Sequence, residues 1–209
     1  MVFPILEGLG WLRHAFLVRI PGVDVNCERQ EAIRRLRVAH ELLKKDAGFE
    51  GLPLALAEQV HGDRVVLGRD GVVAEGADGL ATSDRGLCLG IYVADCAAVY
   101  LVDRSGCGIG LVHSGRKGSE LGVVSRAVEK MKNEIGCKPA RMLAVISPCI
   151  RPPNYEVDFV SQIVAQLHEC GVEQIYDSGT CTAANPDRYY SYRREKGRTG
   201  RMMALLAIV

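Results

Sequence analysis

Two histidines and one cysteine, His61, Cys96 and His113, each stand at the end or bend of a predicted strand. Imidazole nitrogen and thiolate sulfur are good ligands for first-row transition metals. A catalytic zinc ion takes three protein ligands and a water, and it lowers the pKa of that water to about 7. The three residues lie far apart along the chain, so their types alone predict a metal site only weakly. A buried cysteine with two surface histidines is the structural alternative.

A basic loop containing glycines follows His113 directly. It has the sequence Ser114-Gly115-Arg116-Lys117-Gly118 and leads into a predicted helix. A cysteine and a histidine at strand ends, next to a basic glycine loop that opens a helix, are the parts of a reactive site.

Three apolar strands and one helix are predicted around these residues. The segments Leu87–Val93 and Ala98–Val102 are mostly apolar and β-branched or aromatic, as buried strands are. Cys107–Val112 is a third apolar run, with glycines where neighbouring backbone could approach closely. The segment Ser119–Ile135 carries apolar residues at helical spacing, and Gly136 follows it as a stop signal. These elements must position the candidate site, because its residues lie at their ends.

The remaining sequence alternates irregularly between strand and helix patterns. Further strands are predicted at Trp11–Ile20, Leu54–Val60, Arg64–Leu67, Met142–Ile146, Gln174–Tyr176, Tyr189–Arg193 and Met202–Val209, and helices at Cys27–Ala47 and Phe159–Cys170. The last strand is apolar on both faces, so we expect it at the centre of a sheet. The pattern predicts an α/β (α+β) fold in which mixed sheets are layered with helices, as a single domain over residues 1–209.

Four positions receive more specific expectations. His61–Asp63 should form a hairpin or a strand corner, because Gly and Asp favour turns. Asp78 should be a turn or capping carboxylate; the alternative is that it hydrogen-bonds to a metal-ligating residue. His40 should lie partly exposed on its helix, and Leu121 should belong to the buried stripe of the helix that follows the basic loop.

Composition excludes several classes of function. The chain has 209 residues, 48% of them hydrophobic, and a formal net charge of +1. A net charge this small gives no overall positive potential that would attract nucleic acid. No apolar run reaches the length that spans a membrane. The N-terminus lacks the pattern of a secretory signal. The eight cysteines contain no CxxC pair, so we expect reduced thiols and a cytoplasmic location.

Several segments resemble, in the same order, one known family. They are EQVHGDRV (58–65), ADG (77–79), VADCAAVYLVD (93–103), GLVHSGRKG (110–118), SPCIRPPNYEVD (147–158), CT (181–182) and YYSYRREKGRTGRMMALLAIV (189–209). This is the YfiH-like, laccase-domain family, whose members were first named polyphenol oxidases. They are now described as purine nucleoside phosphorylases with adenosine deaminase activity.

The resemblance implies a YfiH-like fold and a zinc site made by His61, Cys96 and His113 as catalytic residues. It also implies a purine nucleoside substrate and phosphate as co-substrate. Arg116, Lys117 and the N–H groups around Gly118, at a helix N-terminus, could bind the phosphate, and Arg193 or Arg194 could assist. A solvated helix start is the alternative for Arg116 and Lys117. Adventitious copper is compatible with the same ligands. One departure is that Arg116 and Lys117 stand where the family usually has a Trp-Arg pair. The metal ligands therefore match more fully than the walls of the substrate site.

Two other functions stay open at this point. Cys96 and His113 could form the nucleophile and base of a metal-free cysteine hydrolase, because a nearby imidazolium lowers a thiol pKa. Alternatively, the chain could be a non-catalytic metal-binding homologue. A multicopper oxidase is not supported, since imidazole is the usual copper ligand and the chain has only five histidines.

Overall fold

Two mixed β-sheets lie face to face in the computed structural model, which describes residues 1–209. The strands are β1 (Leu12–Leu17), β2 (Leu54–Ala57), β3 (Val65–Leu67), β4 (Val73–Ala74), β5 (Gly79–Thr82), β6 (Cys88–Val93), β7 (Ala97–Asp103), β8 (Ile109–Ser114), β9 (Met142–Ile146), β10 (Gln174–Asp177) and β11 (Met202–Ile208). The first sheet has the order β1-β11-β6-β2-β4 and the second has the order β10-β9-β7-β8-β5-β3. Each sheet contains parallel and antiparallel pairs, which confirms the predicted mixed sheets.

Five α-helices accompany the sheets. They are α1 (Pro4–Glu7), α2 (Arg29–Asp46), α3 (Arg116–Glu120), α4 (Val123–Lys130) and α5 (Phe159–Glu169). A π-helical turn at Met131–Ile135 continues α4, and 3-10 turns lie at Pro139–Arg141 and Thr182–Ala184. No helix combines the length and the apolar character that crossing a membrane requires.

Side-chain alternation along the strands buries both faces of each sheet. On β7, Ala98, Tyr100 and Val102 face the space between the sheets, whereas Val99 and Leu101 face α4 and α5. The strand β11 alternates in the same way and lies between β1 and β6, which confirms the prediction of a central strand. The layers therefore run from α2 through the first sheet and the second sheet to α4 and α5.

The helix predicted at Ser119–Ile135 is interrupted, so that prediction is wrong in part. Gly122 adopts a left-handed φ of 79° and separates α3 from α4. Leu121, which was expected in the buried stripe, is 46% exposed because it lies in this break. Gly136 ends the helical segment as predicted, with a φ of 86°.

The strand predicted at Tyr189–Arg193 does not form, and the segment makes turns instead. Its polar groups bond to two carboxylates. The Ser191 hydroxyl and the Arg193 N–H donate to Asp95, while the Ser191 N–H donates to Glu195. These backbone donors are therefore satisfied without a neighbouring strand.

His40 on α2 is buried, at 2% exposure, so the prediction of a surface residue is wrong. Its ring centroid lies 5.7 Å from that of Tyr92 on β6, and neither ring nitrogen has a hydrogen-bond partner. Burial lowers the pKa of His40 to about 4; Lys44 acts in the same direction, and the charge of Glu41 opposes the shift. The folded protein therefore holds His40 neutral.

We expect His40→Leu to make folding less sensitive to acid. The folded-state pKa, about 4, lies below the usual 6.5, so the stability linked to neutral His40 is present above pH 6.5 and is lost as the pH falls toward 4. The native chain should lose roughly 3 kcal/mol between pH 7 and pH 4 that the variant keeps. Urea denaturation at both pH values measures the difference, with the exposed His168→Leu as control. Equal acid losses in the native chain and the His40 variant would contradict the expectation.

Candidate metal centre and substrate cavity

His61, Cys96 and His113 meet where the chain passes between the two sheets. His61 lies in the corner between β2 and β3, and Cys96 lies between β6 and β7; both connections lead from the first sheet to the second. The bend at His61 is therefore a strand corner and not a hairpin. His113 lies near the end of β8. The candidate ligand atoms of the three residues lie within 4.8 Å of one another, and the two imidazole rings meet edge to face.

The carboxylate of Asp78, fully buried just before β5, holds the His61 corner in place. It accepts backbone N–H groups from Val60 at 3.1 Å, His61 at 2.9 Å and Gly62 at 2.7 Å. His61 has a left-handed φ of 61°, which costs a non-glycine residue about 1–3 kcal/mol unless its surroundings stabilise it. The three converging bonds supply that stabilisation, and they agree with the turn role predicted for Asp78.

The same carboxylate orients His113. Its Oδ1 lies 2.7 Å from Nδ1 of His113, and the His113 backbone N–H donates to the Asp78 carbonyl at 2.7 Å. Burial raises the pKa of Asp78, but bonds from His113, Gly62 and His61 outweigh burial and lower it. An ionised carboxylate only accepts, so Nδ1 carries the hydrogen and Nε2 is available as a ligand. Asp78 therefore has a second role besides the turn. Its carboxylate binds the ring nitrogen of His113 that would not contact a metal, which is how carboxylates orient metal-ligating histidines.

Cys96 and His113 shift the protonation of each other. Burial raises the pKa of the Cys96 thiol, but His113 and His61 outweigh burial and lower it to about 6. Burial disfavours the charged form of His113, yet Cys96 and Asp78 raise its pKa to about 9. Near neutral pH the pair is therefore a thiolate beside an imidazolium. A metal cation would replace the imidazolium proton, because thiolate and neutral imidazole are the forms that ligate metals.

Asp95, which received no role from the sequence, fixes the second connection between the sheets. It is buried and has a left-handed φ of 80°. Its carboxylate accepts the hydroxyl of Thr182 at 2.6 Å, the hydroxyl of Ser191 at 3.0 Å and the N–H of Arg193 at 2.7 Å. These bonds attach two C-terminal loops to the turn that presents Cys96.

A cavity of about 790 Å³ opens beside the three candidate ligands. Its aromatic lining consists of Tyr92, Tyr155, Phe159 and Tyr192. Its cationic lining consists of Arg29, Arg116, Lys117, Arg193 and Arg201. The volume lies in the range of small-molecule sites, and the mixed lining suits a flat ring system accompanied by an anion.

The residues of the basic loop differ in how free they are to bind an anion. Arg116 and Lys117 line the cavity, whereas Gly118 is buried outside its lining. The Arg116 Nε lies 2.9 Å from Glu120, so its charge is partly compensated. The exposed Lys117 has no carboxylate within 4.0 Å. The helix that begins at this loop, α3, is only five residues long, so its N-terminus alone is not expected to bind an anion. Lys117 is therefore the main candidate for anion binding on this side of the cavity.

The two adjacent arginines of the C-terminal segment lie in different settings. Arg193 lines the cavity, where its guanidinium lies 4.8 Å from the ring centroid of Tyr155 and 3.1 Å from Glu156. Arg194 lies outside the lining and donates to the carbonyl of Ala183 at 3.1 Å. Arg193 is therefore the one that can reach a molecule in the cavity.

Arg29 and Arg201 are cavity residues that sequence reasoning missed, and Asp95 is a positioning residue that it missed. Asp95 and Arg201 stand inside the segments VADC and TGR that carry the family resemblance, which is the signal that could have identified them. Nothing in the sequence distinguishes Arg29 from the other charged residues of its helix.

A second group of possible ligand atoms comes from Asp103, Cys107 and Cys137, also within 4.8 Å of one another. The Asp103 carboxylate already accepts bonds from the N–H and hydroxyl of Ser105 and from the N–H of Lys138. Burial, reinforced by Cys107, raises the pKa of Cys137 to about 12. A protonated thiol and an occupied carboxylate are poor ligands, so the His-Cys-His group is the better candidate.

Comparison with known proteins agrees with this architecture. The family model described as multi-copper polyphenol oxidoreductase laccase matches residues 21–165 and 157–209. A purine nucleoside phosphorylase of Corynebacterium glutamicum is 32% identical, over 71% of this chain and 72% of its own. A purine nucleoside phosphorylase of Deinococcus radiodurans is 31% identical, over 93% and 88% of the two chains. The crystal structure of Bacillus licheniformis YfiH, 23% identical, has a TM-score of 0.81 over 97% of this chain and 95% of its own.

The fold and the site together define a laccase-like protein of two stacked mixed sheets, with a His-Cys-His group at the connections between them. The chain belongs to the multi-copper polyphenol oxidoreductase laccase family and has the YfiH fold. The resemblance inferred from the ordered sequence segments is therefore confirmed.

We expect Asp78→Asn to destabilise the protein even without metal. The amide keeps one acceptor oxygen but replaces the other with donors, so at least one buried N–H at the His61 corner or the His113 ring loses its partner. The expected cost is roughly 2–4 kcal/mol, as for a broken network of buried charge-assisted bonds.

Urea denaturation in the presence of a chelator measures this cost. The matched control is Asp63→Asn in the same corner, whose half-exposed side chain lies 3.6 Å from Arg126 and should contribute within about 0.5 kcal/mol. Equal stability of the two variants would mean that Asp78 does not hold the corner.

Proposed function

We propose that the chain is a zinc-dependent purine nucleoside phosphorylase that also deaminates adenosine. The observation that carries the proposal is the convergence of His61, Cys96 and His113 on one cavity with aromatic and cationic walls. The names of the C. glutamicum and D. radiodurans relatives support the substrate class. The proposed substrates are therefore a purine nucleoside and phosphate.

The donor set of one thiolate and two imidazoles fits zinc, which takes three protein ligands in catalytic sites. When bound, zinc supplies a Lewis acid and lowers the pKa of a coordinated water to about 7. The protein contributes the arrangement of the ligands: Asp78 keeps Nε2 of His113 available and holds the corner that presents His61. Asp95 fixes the turn before Cys96.

In phosphorolysis, a phosphate oxygen bonds to the ribose C1′ while the bond from C1′ to the purine nitrogen breaks, and the purine takes up a proton. Tyr155 and Tyr192 offer aromatic faces that could stack on the base. Lys117 offers an ammonium without a carboxylate partner to the phosphate. Arg116 and Arg193 share their charge with Glu120 and Glu156, so their contribution should be smaller. Deamination instead adds water at C6 of adenosine and releases ammonia, and it uses no phosphate.

The metal proposal predicts about one zinc per chain in protein purified under reducing conditions. Cys96→Ala and His113→Ala should lose most of this zinc without unfolding the protein, because each removes a ligand from a site at the edge of the core. Elemental analysis with a thermal melt measures both quantities. Cys170→Ala, also half-buried but distant in the sequence, should keep its zinc. Full zinc content in both site variants would remove these residues from the ligand set.

Product analysis tests the reaction directly. Purified protein is incubated with adenosine, inosine or methylthioadenosine, with and without phosphate, and the products are separated by chromatography. Free base and ribose phosphate that form only with phosphate, together with inosine from adenosine in its absence, would support the proposal. Zinc binding without any product would favour the non-catalytic homologue instead.

Lys117→Ala should separate the two activities, because only phosphorolysis needs phosphate. A charge-assisted contact is worth about 1.5–3 kcal/mol, so phosphorolysis should fall roughly 10- to 150-fold, mainly through a higher phosphate KM. Deamination should stay within about threefold. The control is Lys132→Ala, an exposed lysine on the π-helical turn. Equal losses of both activities would indicate a damaged metal site, and no change would place the phosphate elsewhere.

The lowered thiol pKa of Cys96 also fits the alternative of a metal-free cysteine hydrolase, with His113 as base. Alkylation distinguishes the two functions. A thiolate held by zinc should react with iodoacetamide only after a chelator is added, whereas a free nucleophile should react at once and lose activity.

A further inference from the structure

Arg201 is the one buried arginine of the chain, with 7% of its surface exposed, and it lines the cavity directly before β11. Its NH1 group donates to the carbonyls of Thr199 at 2.8 Å and Gly200 at 2.9 Å. The guanidinium makes no other hydrogen bond and has no carboxylate within 4.0 Å. The cation therefore lies in the wall of the cavity without a counter-charge.

Such a position is unfavourable unless something compensates for the charge. Buried charges are normally paired, and arginine cannot escape by losing its proton. The half-buried arginines elsewhere follow this rule: Arg19 lies 2.8 Å from Glu195, and Arg151 is paired with Asp177. Arg201 is more deeply buried than either and lacks such a partner.

A second cation of the same cavity also lacks a counter-charge. Arg29, the first residue of α2, lines the same cavity and donates to the Glu58 carbonyl at 3.0 Å and to Oε1 of Gln59 at 3.3 Å, again without a carboxylate. Burial, followed by the charge of Arg29, lowers the pKa of Arg201, as expected for two cations that line one cavity. Two like charges in one cavity are stabilised by an anion that both can contact.

The acidic groups nearby are already engaged elsewhere. Tyr192, whose ring centroid lies 5.9 Å from the Arg201 guanidinium, raises the pKa of Arg201, and so do Cys96 and Asp95. The Asp95 carboxylate, however, accepts three other hydrogen bonds, and Cys96 belongs to the candidate metal centre. Glu28 lines the cavity and lies 3.6 Å from Arg198. Its side chain does not cap α2, so the N–H groups of the first turn of that 18-residue helix add to the positive potential.

We propose that Arg201 and Arg29 bind a phosphoryl dianion inside the cavity. A planar guanidinium matches two phosphoryl oxygens at once, and two of them beside a helix N-terminus suit a dianion better than a carboxylate. The inference rests on the proposed function, because it concerns the same cavity. The anion is either inorganic phosphate, the co-substrate, or the phosphate ester of a nucleoside monophosphate; Lys117 would then be a second, more exposed contact.

The test measures binding directly, so that it does not depend on turnover. The zinc-loaded protein is titrated calorimetrically with inorganic phosphate, with adenosine and with adenosine 5′-monophosphate. Arg201→Gln and Arg29→Gln should each weaken phosphoryl binding about 10- to 150-fold, the range for a charge-assisted contact. Arg69→Gln removes an exposed arginine that does not line the cavity and has no carboxylate within 4.0 Å, so this variant should bind like the native chain.

Comparing the affinities for the three titrated compounds identifies the source of the anion. Weakening confined to inorganic phosphate supports a co-substrate site, and weakening of the monophosphate but not of adenosine supports an ester site. Arg29→Gln keeps the test decisive if Arg201→Gln unfolds, because Arg29 is only half-buried. Native affinity for both anions in the folded variants, or no anion binding by the native chain at millimolar concentration, would overturn the proposal. Phosphate binding without any product would instead count against the proposed reaction alone.

Discussion

The candidate site depends first on the hydrogen bonds of the Asp78 carboxylate. The sheets are separate layers, and the chain passes between them at the His61 corner, whose backbone is strained. One fully buried carboxylate accepts three N–H groups of that corner and also holds His113 on β8. One carboxylate therefore positions the backbone that presents His61 and the ring of His113, and the two imidazole centroids lie 4.8 Å apart.

Asp95 performs a related function at the second connection. Its own backbone is strained, and its carboxylate binds the loops around Thr182 and Ser191. These loops come from the C-terminal part of the chain, and they carry Tyr192 and Arg193 to the cavity. The strained turn at Asp95, which presents the Cys96 thiolate, is thus bonded to the loops whose Tyr192 and Arg193 form part of the cavity wall. Strain of this kind persists only where the surroundings stabilise it, and it is concentrated at functional sites.

The parts of the fold that could be predicted are those encoded by local periodicity. The strands β6, β7, β8 and β11 and the helices α2 and α5 follow from apolar spacing, because buried faces repeat within each element. The break at Gly122 could not be inferred in that way, since the apolar spacing continues through it. The missing strand at Tyr189–Arg193 has a similar cause: its pattern alternates, but bonds to the distant Asp95 determine its conformation.

The cavity shows why net charge alone describes a binding site poorly. The chain is nearly neutral at +1, which argues against a surface for nucleic acid, yet five cations line one cavity. Arg116 and Arg193 have carboxylate partners, one a helical turn away and one on a distant loop. The remaining three, Arg29, Lys117 and Arg201, have none. A low-dielectric cavity focuses such uncompensated charge and raises the local concentration of anions, so what matters for function is which cations lack a partner, a property that only the folded chain defines.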